Sequence, residues 1–99
     1  MNDRRPLAGL RSVGRATLED FRRLGIDSPE ALAASDPRDL YDRLCALEGR
    51  RVDICQYDLF CCAVAQARDP HLPPEQRDWF WWSRRRKARN AAGTRGPED

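Results

Sequence analysis

Proline and glycine recur at Pro6, Gly9, Gly14, Gly25, Pro29, Pro37, Gly49, Pro70, Pro73 and Pro74, and this punctuation is the tightest constraint on what the chain can form. Glycine supplies the left-handed residue that closes a helix, and proline suits the first helical turn but breaks a helix interior. The segments between them carry apolar residues at helical spacing, which predicts helices over 7–11, 17–24, 29–34, 37–47, 54–68 and 75–89. Ser28-Pro29 and Asp36-Pro37 each place a capping side chain before a proline, so two helix starts are marked twice. Leu40, Leu44 and Leu47 are expected to face inward from the fourth segment. The segment 54–68 is apolar almost everywhere except Gln56, Asp58 and Gln66, the pattern of a helix in the middle of a fold.

Composition agrees with this pattern. The chain has 99 residues, enough for one small domain and too few for two domains with a catalytic cleft between them. Leu, Ile, Val and Phe number only 18, while alanines number 12, which favours helices packed closely on small side chains. The expected fold is all-α: a compact bundle of five to six short helices spanning 7–89, with flexible tails at 1–6 and 90–99.

Charge is unevenly placed. Residues 1–76 carry a net charge of −2 and residues 77–99 a net charge of +4. Of the 18 basic residues, 17 are Arg; the guanidinium is a planar fork suited to phosphate, though a GC-rich coding sequence gives the same bias. No apolar run is long enough for a membrane span or a signal peptide, so a cytoplasmic protein without membrane contact is expected. Cys45, Cys55, Cys61 and Cys62 are then expected as reduced thiols. Their spacing forms no zinc knuckle, and Cys55, Leu59 and Cys62 share one helix face as small hydrophobes.

The segment Leu10-Arg11-Ser12-Val13-Gly14-Arg15-Ala16-Thr17 is the one most suited to chemistry. A glycine turn before a helix exposes backbone N–H groups at the positive end of the helix dipole, a setting that favours an anion, and Arg11 and Arg15 supply charge. A plain helix start accounts for the same residues. Gly14 is expected to hold the positive-φ position of the turn.

These residues resemble the helix-hairpin-helix motif, Leu-Pro-Gly-Ile-Gly-Pro-x-Thr-Ala. Leu10, Val13, Gly14 and Thr17 match it, Arg11 and Arg15 replace its prolines, and Ser12 replaces its first glycine. More widely, Leu24-Gly25-Ile26, Leu44-Cys45 to Gly49, Asp53-x-Cys55-x-x-Asp58-x-Phe60 and Arg77-Asp78-Trp79-Phe80-Trp81-Trp82-Ser83 resemble the small bacterial pathogenicity-locus proteins, also labelled mitomycin-resistance proteins. The first part is also similar to the C-terminal domain of the competence regulator TfoX. The resemblance implies an N-terminal helix-hairpin-helix (SAM-like) unit. It also implies nonspecific contact with the DNA backbone through Ser12, Val13, Gly14, Arg15, Ala16 and Thr17, to which Arg11, Arg84, Arg85, Arg86 and Lys87 would add charge.

The aromatic run Trp79 to Trp82 has three readings: core or lid, a surface for a homodimer or another protein, and a platform for unpaired bases beside the following basic residues. Arg84 to Lys87 also fits a solvated helix face. Asp53 with Asp58, Asp39 with Asp42, and Glu19-Asp20 fit caps or solvated faces more simply than an acid/base pair. His71 lies among prolines with no nucleophile beside it in the chain, and Lys87 is the single lysine available to form a Schiff base. No cofactor motif is present, and a non-enzymatic protein is expected.

Overall fold

A computed structural model describes residues 6–91, and all of its regular structure is helical. A 3-10 turn at Leu7–Gly9 precedes five α-helices: α1 (Arg15–Arg23), α2 (Pro29–Ala33), α3 (Pro37–Glu48), α4 (Cys55–Arg68) and α5 (Trp79–Ala91). A second 3-10 turn at Pro74–Arg77 leads into α5. The expected last helix over 75–89 is therefore split. Asp78 is extended between the two pieces, and its Oδ1 accepts the Phe80 N–H at 3.0 Å, so α5 starts four residues later than expected and runs to Ala91. Of the expected tails at 1–6 and 90–99, Asn90 and Ala91 belong to α5, and residues 1–5 and 92–99 lie outside the described residues.

Local chemistry sets the helix ends. Ser28 Oγ accepts the Ala31 N–H at 3.1 Å and Asp36 Oδ1 accepts the Arg38 N–H at 3.0 Å, with Pro29 and Pro37 at the first helical positions. Gly25 (φ 81°) and Gly49 (φ 70°) take the left-handed conformation that ends α1 and α3, and the Ile26 and Arg50 N–H groups return to the Phe21 and Cys45 carbonyls at 2.8 and 3.2 Å. Asp53 Oδ1 receives the Cys55 N–H at 2.9 Å at the head of α4.

Helix α4 is central and packs against α2, α3 and α5. Phe21 of α1 stacks on Phe60 of α4 with ring centroids 5.5 Å apart, and Leu32, Leu40, Leu44 and Val64 close the core around them. Leu47, expected inward with Leu40 and Leu44, is 51% exposed. It lies in the last turn of α3 and lines an open groove with Arg23, Leu24, Arg43 and Ala46. Thr17 and Val13 are buried, so the 10–17 segment is anchored by side chains on its inner side.

Candidate functional site

The turn before α1 is built differently from the expected one. Gly14 is extended (φ −99°, ψ −171°), and the positive-φ residue is Ser12, at φ 70°. Left-handed backbone is costly for a residue with a Cβ, and Ser12 offsets it with two hydrogen bonds. Its hydroxyl donates to the Arg77 carbonyl at 3.1 Å and accepts the Trp79 N–H at 3.1 Å. Next to it, Gln66 of α4 clasps the Arg11 peptide from both sides: the Arg11 N–H donates to Gln66 Oε1 at 2.9 Å, and Gln66 Nε2 donates to the Arg11 carbonyl at 2.8 Å. The buried amide and the serine hydroxyl thus hold the turn on α4 and on the first residue of α5.

This anchoring leaves the head of α1 open. Gly14 is its N-cap residue and contributes no side-chain hydrogen bond. Gly14, Arg15 and Ala16 are exposed, as is the Arg11 side chain. Neither Arg11 nor Arg15 has an ion-pair partner among the described residues. By contrast, the arginines further along α1 are engaged: Arg22 pairs with Glu19, and Arg23 with Glu48 at 2.8 Å. The expected contact residues therefore divide. Gly14, Arg15, Ala16 and Arg11 face outward, while Val13 and Thr17 are inward and Ser12 spends its hydroxyl on α5.

The basic run on α5 divides as well. Arg86, expected with its neighbours on a solvated face, closes on Asp58 of α4 through Nε–Oδ1 at 2.8 Å and Nη2–Oδ2 at 2.9 Å. The Asp58 side chain is 2% exposed and that of Arg86 17%, so Asp58 is neither a cap nor a solvated acid. Such a two-pronged buried pair is a structural clamp. Arg84, Arg85 and Lys87 remain exposed, and the Arg85 guanidinium lies 5.7 and 5.5 Å from the Trp81 and Trp82 ring centroids. Trp79, Trp81 and Trp82 are half-buried, and Trp82 Nε1 donates to the Gln76 carbonyl at 2.8 Å. Phe80 is 54% exposed and stacks on Trp79 with centroids 4.2 Å apart.

A match over residues 2–88 to the family described as "Pathogenicity locus" covers almost everything just described. The chain belongs to that family. Mitomycin resistance protein McrB of Streptomyces lavendulae is 37% identical to this pathogenicity-locus protein over 86 residues, which is 87% of this chain and 78% of the relative. No solved structure matches it.

Of the thiols of this pathogenicity-locus protein, Cys62 is buried and Cys45, Cys55 and Cys61 are half-buried. Burial pushes Cys61 and Cys62 up to about 11 and raises Cys55 in the same direction. All three are therefore protonated at neutral pH, the unreactive form. No group of three or more His, Cys, Asp and Glu residues suited to a metal ion occurs among the described residues. No helix among them is long and apolar enough to cross a membrane.

Sequence reasoning missed Gln66 and Asp58 as positioning residues. The signal was their polarity within an otherwise apolar helix, because a buried polar group requires a partner.

Proposed function

We propose that this protein is a non-enzymatic cytoplasmic module that holds the DNA backbone without reading its sequence, with the 7–23 unit working as a helix-hairpin-helix grip. The observation that carries the reading is the open head of α1, where Gly14 provides no side-chain cap and Arg11 and Arg15 stand exposed without ionic partners among the described residues. Uncapped N–H groups at the positive end of a helix suit a phosphate oxygen, and two guanidinium groups beside them suit the charge of adjoining phosphates. Backbone contact of this kind positions a protein on nucleic acid and carries no base information. The non-enzymatic part rests on the desolvation that raises Cys55, Cys61 and Cys62 and keeps these three thiols protonated at neutral pH.

Gly14→Asp separates this role from folding. A Cβ at Gly14 meets nothing within 4 Å, and the extended backbone suits a capping residue. Aspartate there supplies the missing cap and is expected to stabilise the fold by about 0.3 kcal/mol, while its carboxylate occupies the amides and repels phosphate. Anisotropy titrations of a labelled duplex at low salt should show at least a tenfold loss of affinity in this more stable variant. Unchanged affinity sinks the reading.

A second reading is favoured by Phe80, whose exposed ring is unusual for a domain with so few large apolar residues. In that reading the Trp79 to Trp82 face docks a second copy or another protein. Sedimentation velocity over a concentration series tests the homodimer directly.

A further inference from the structure

We infer that the aromatic start of α5 is a stacking platform for an unpaired base, so that the preferred ligand is DNA with a single-stranded end rather than continuous duplex. The inference rests on the backbone-binding reading above and adds to it the class of DNA.

Three observations converge. The first is contiguity. Ser12, two residues before the open head of α1, receives the N–H of Trp79, so a strand whose phosphate sits at Gly14–Ala16 passes directly beside the start of α5. The second is the platform itself. The Phe80 ring is exposed on one side and backed by Trp79 at 4.2 Å with 24° between the planes. A flat ring supported from behind matches the face of a nucleobase, and such stacking tolerates any base.

The third is the direction of charge. Trp79, Trp82, Ser83 and Arg86 form the side of α5 turned to the protein body: Ser83 is buried and Arg86 is clamped to Asp58. Phe80, Arg84 and Lys87 recur on an outward flank at the i, i+4, i+7 spacing of one helix face, all exposed. Neither Arg84 nor Lys87 has a partner among the described residues. The two cations extend about 10 Å from the aromatic ring along the helix, a track for the backbone of a strand whose base has left the duplex. Asp78 is the acid at the head of this face, and one of its oxygens is held by the Phe80 N–H. An apolar protein partner would leave Arg84 and Lys87 uncompensated beside the ring. A polyanion with aromatic bases satisfies both.

The test compares the full chain on a blunt duplex, on the same duplex with a short single-stranded overhang, and on an overhang carrying 2-aminopurine next to the junction. The wild type should bind the overhang about tenfold more tightly than the blunt duplex, as expected for one stacked base, and should quench 2-aminopurine. Phe80→Ala should erase both effects while leaving blunt-duplex affinity within twofold, and Phe80→Tyr should retain them. Unchanged circular dichroism establishes that the variants are folded. Salt-sensitive binding with no overhang preference overturns the stacking platform and leaves the backbone reading intact. An overhang preference that Phe80→Ala removes, together with a blunt-duplex affinity that Gly14→Asp leaves unchanged, upholds the platform and overturns the hairpin grip. A dimer that Phe80→Ala dissociates, with no preference among the DNAs, overturns it in favour of self-association.

Discussion

Ser12 is a serine in a conformation that glycine adopts at little cost, and its two hydrogen bonds explain why the position tolerates a side chain. Left-handed backbone costs a residue with a Cβ about 1–2 kcal/mol. The Ser12 hydroxyl, bridging the Arg77 carbonyl and the Trp79 N–H at 3.1 Å each, recovers about 0.5–1.5 kcal/mol per bond. Two substitutions separate these contributions. Ser12→Ala keeps the strain and loses both bonds, and should destabilise by about 1–2 kcal/mol in urea unfolding. Ser12→Gly loses the bonds but also the strain, and should be more stable than the alanine variant by about 1 kcal/mol. Equal stabilities would mean that the backbone at residue 12 is not held at φ 70°. The sequence pointed to residue 14 for this role because glycine is the usual occupant of a left-handed position. The structure assigns it to residue 12 because a hydroxyl in reach of two backbone groups outweighs that preference.

At the scale of the helices, what was legible was what is local. Ser28-Pro29, Asp36-Pro37, Gly25 and Gly49 act within a few residues of themselves, so their helix ends could be read directly from the chain. Partners distant in sequence could not. Gln66 meets Arg11 across 55 positions and Asp58 meets Arg86 across 28, and a periodic pattern holds no information on which helix lies opposite. Arg86 is the clearest case: within a basic run it looks like its neighbours, and only the packing of α5 on α4 turns it inward. Arg86→Met leaves a buried carboxylate without its counter-charge and should destabilise by about 3 kcal/mol. Adding Asp58→Leu removes the orphaned charge and should recover more than half of that loss, since a buried ion pair contributes little net stability over an apolar pair of similar size. A double variant no more stable than Arg86→Met alone would show that Asp58 is needed for something other than its clamp.

Over the whole molecule, the net charge of +2 conceals how the charges are distributed. Arg22, Arg23, Arg38, Arg43 and Arg86 face Glu19, Glu48, Asp42, Asp39 and Asp58, so these five charges are neutralised where they stand. Arg11, Arg15, Arg84 and Lys87 have no such partners among the described residues. They lie on the two elements that Ser12 joins, the open head of α1 and the outer face of α5. A phosphate track therefore requires no large net charge, only that these few cations be left uncompensated. Each phosphate neutralised contributes about 0.9 to the log–log dependence of affinity on salt for duplex DNA. Arg15→Ala should accordingly lower affinity for every duplex alike and make the salt slope shallower by about one, at a stability cost under about 0.5 kcal/mol for an exposed side chain. Arg38→Ala removes the same charge from a residue already paired with Asp42, so its slope should stay at the wild-type value. If both variants shift the slope equally, net charge rather than the α1 head governs binding. If neither does, the turn at 10–14 serves only to join α1 to α4 and α5.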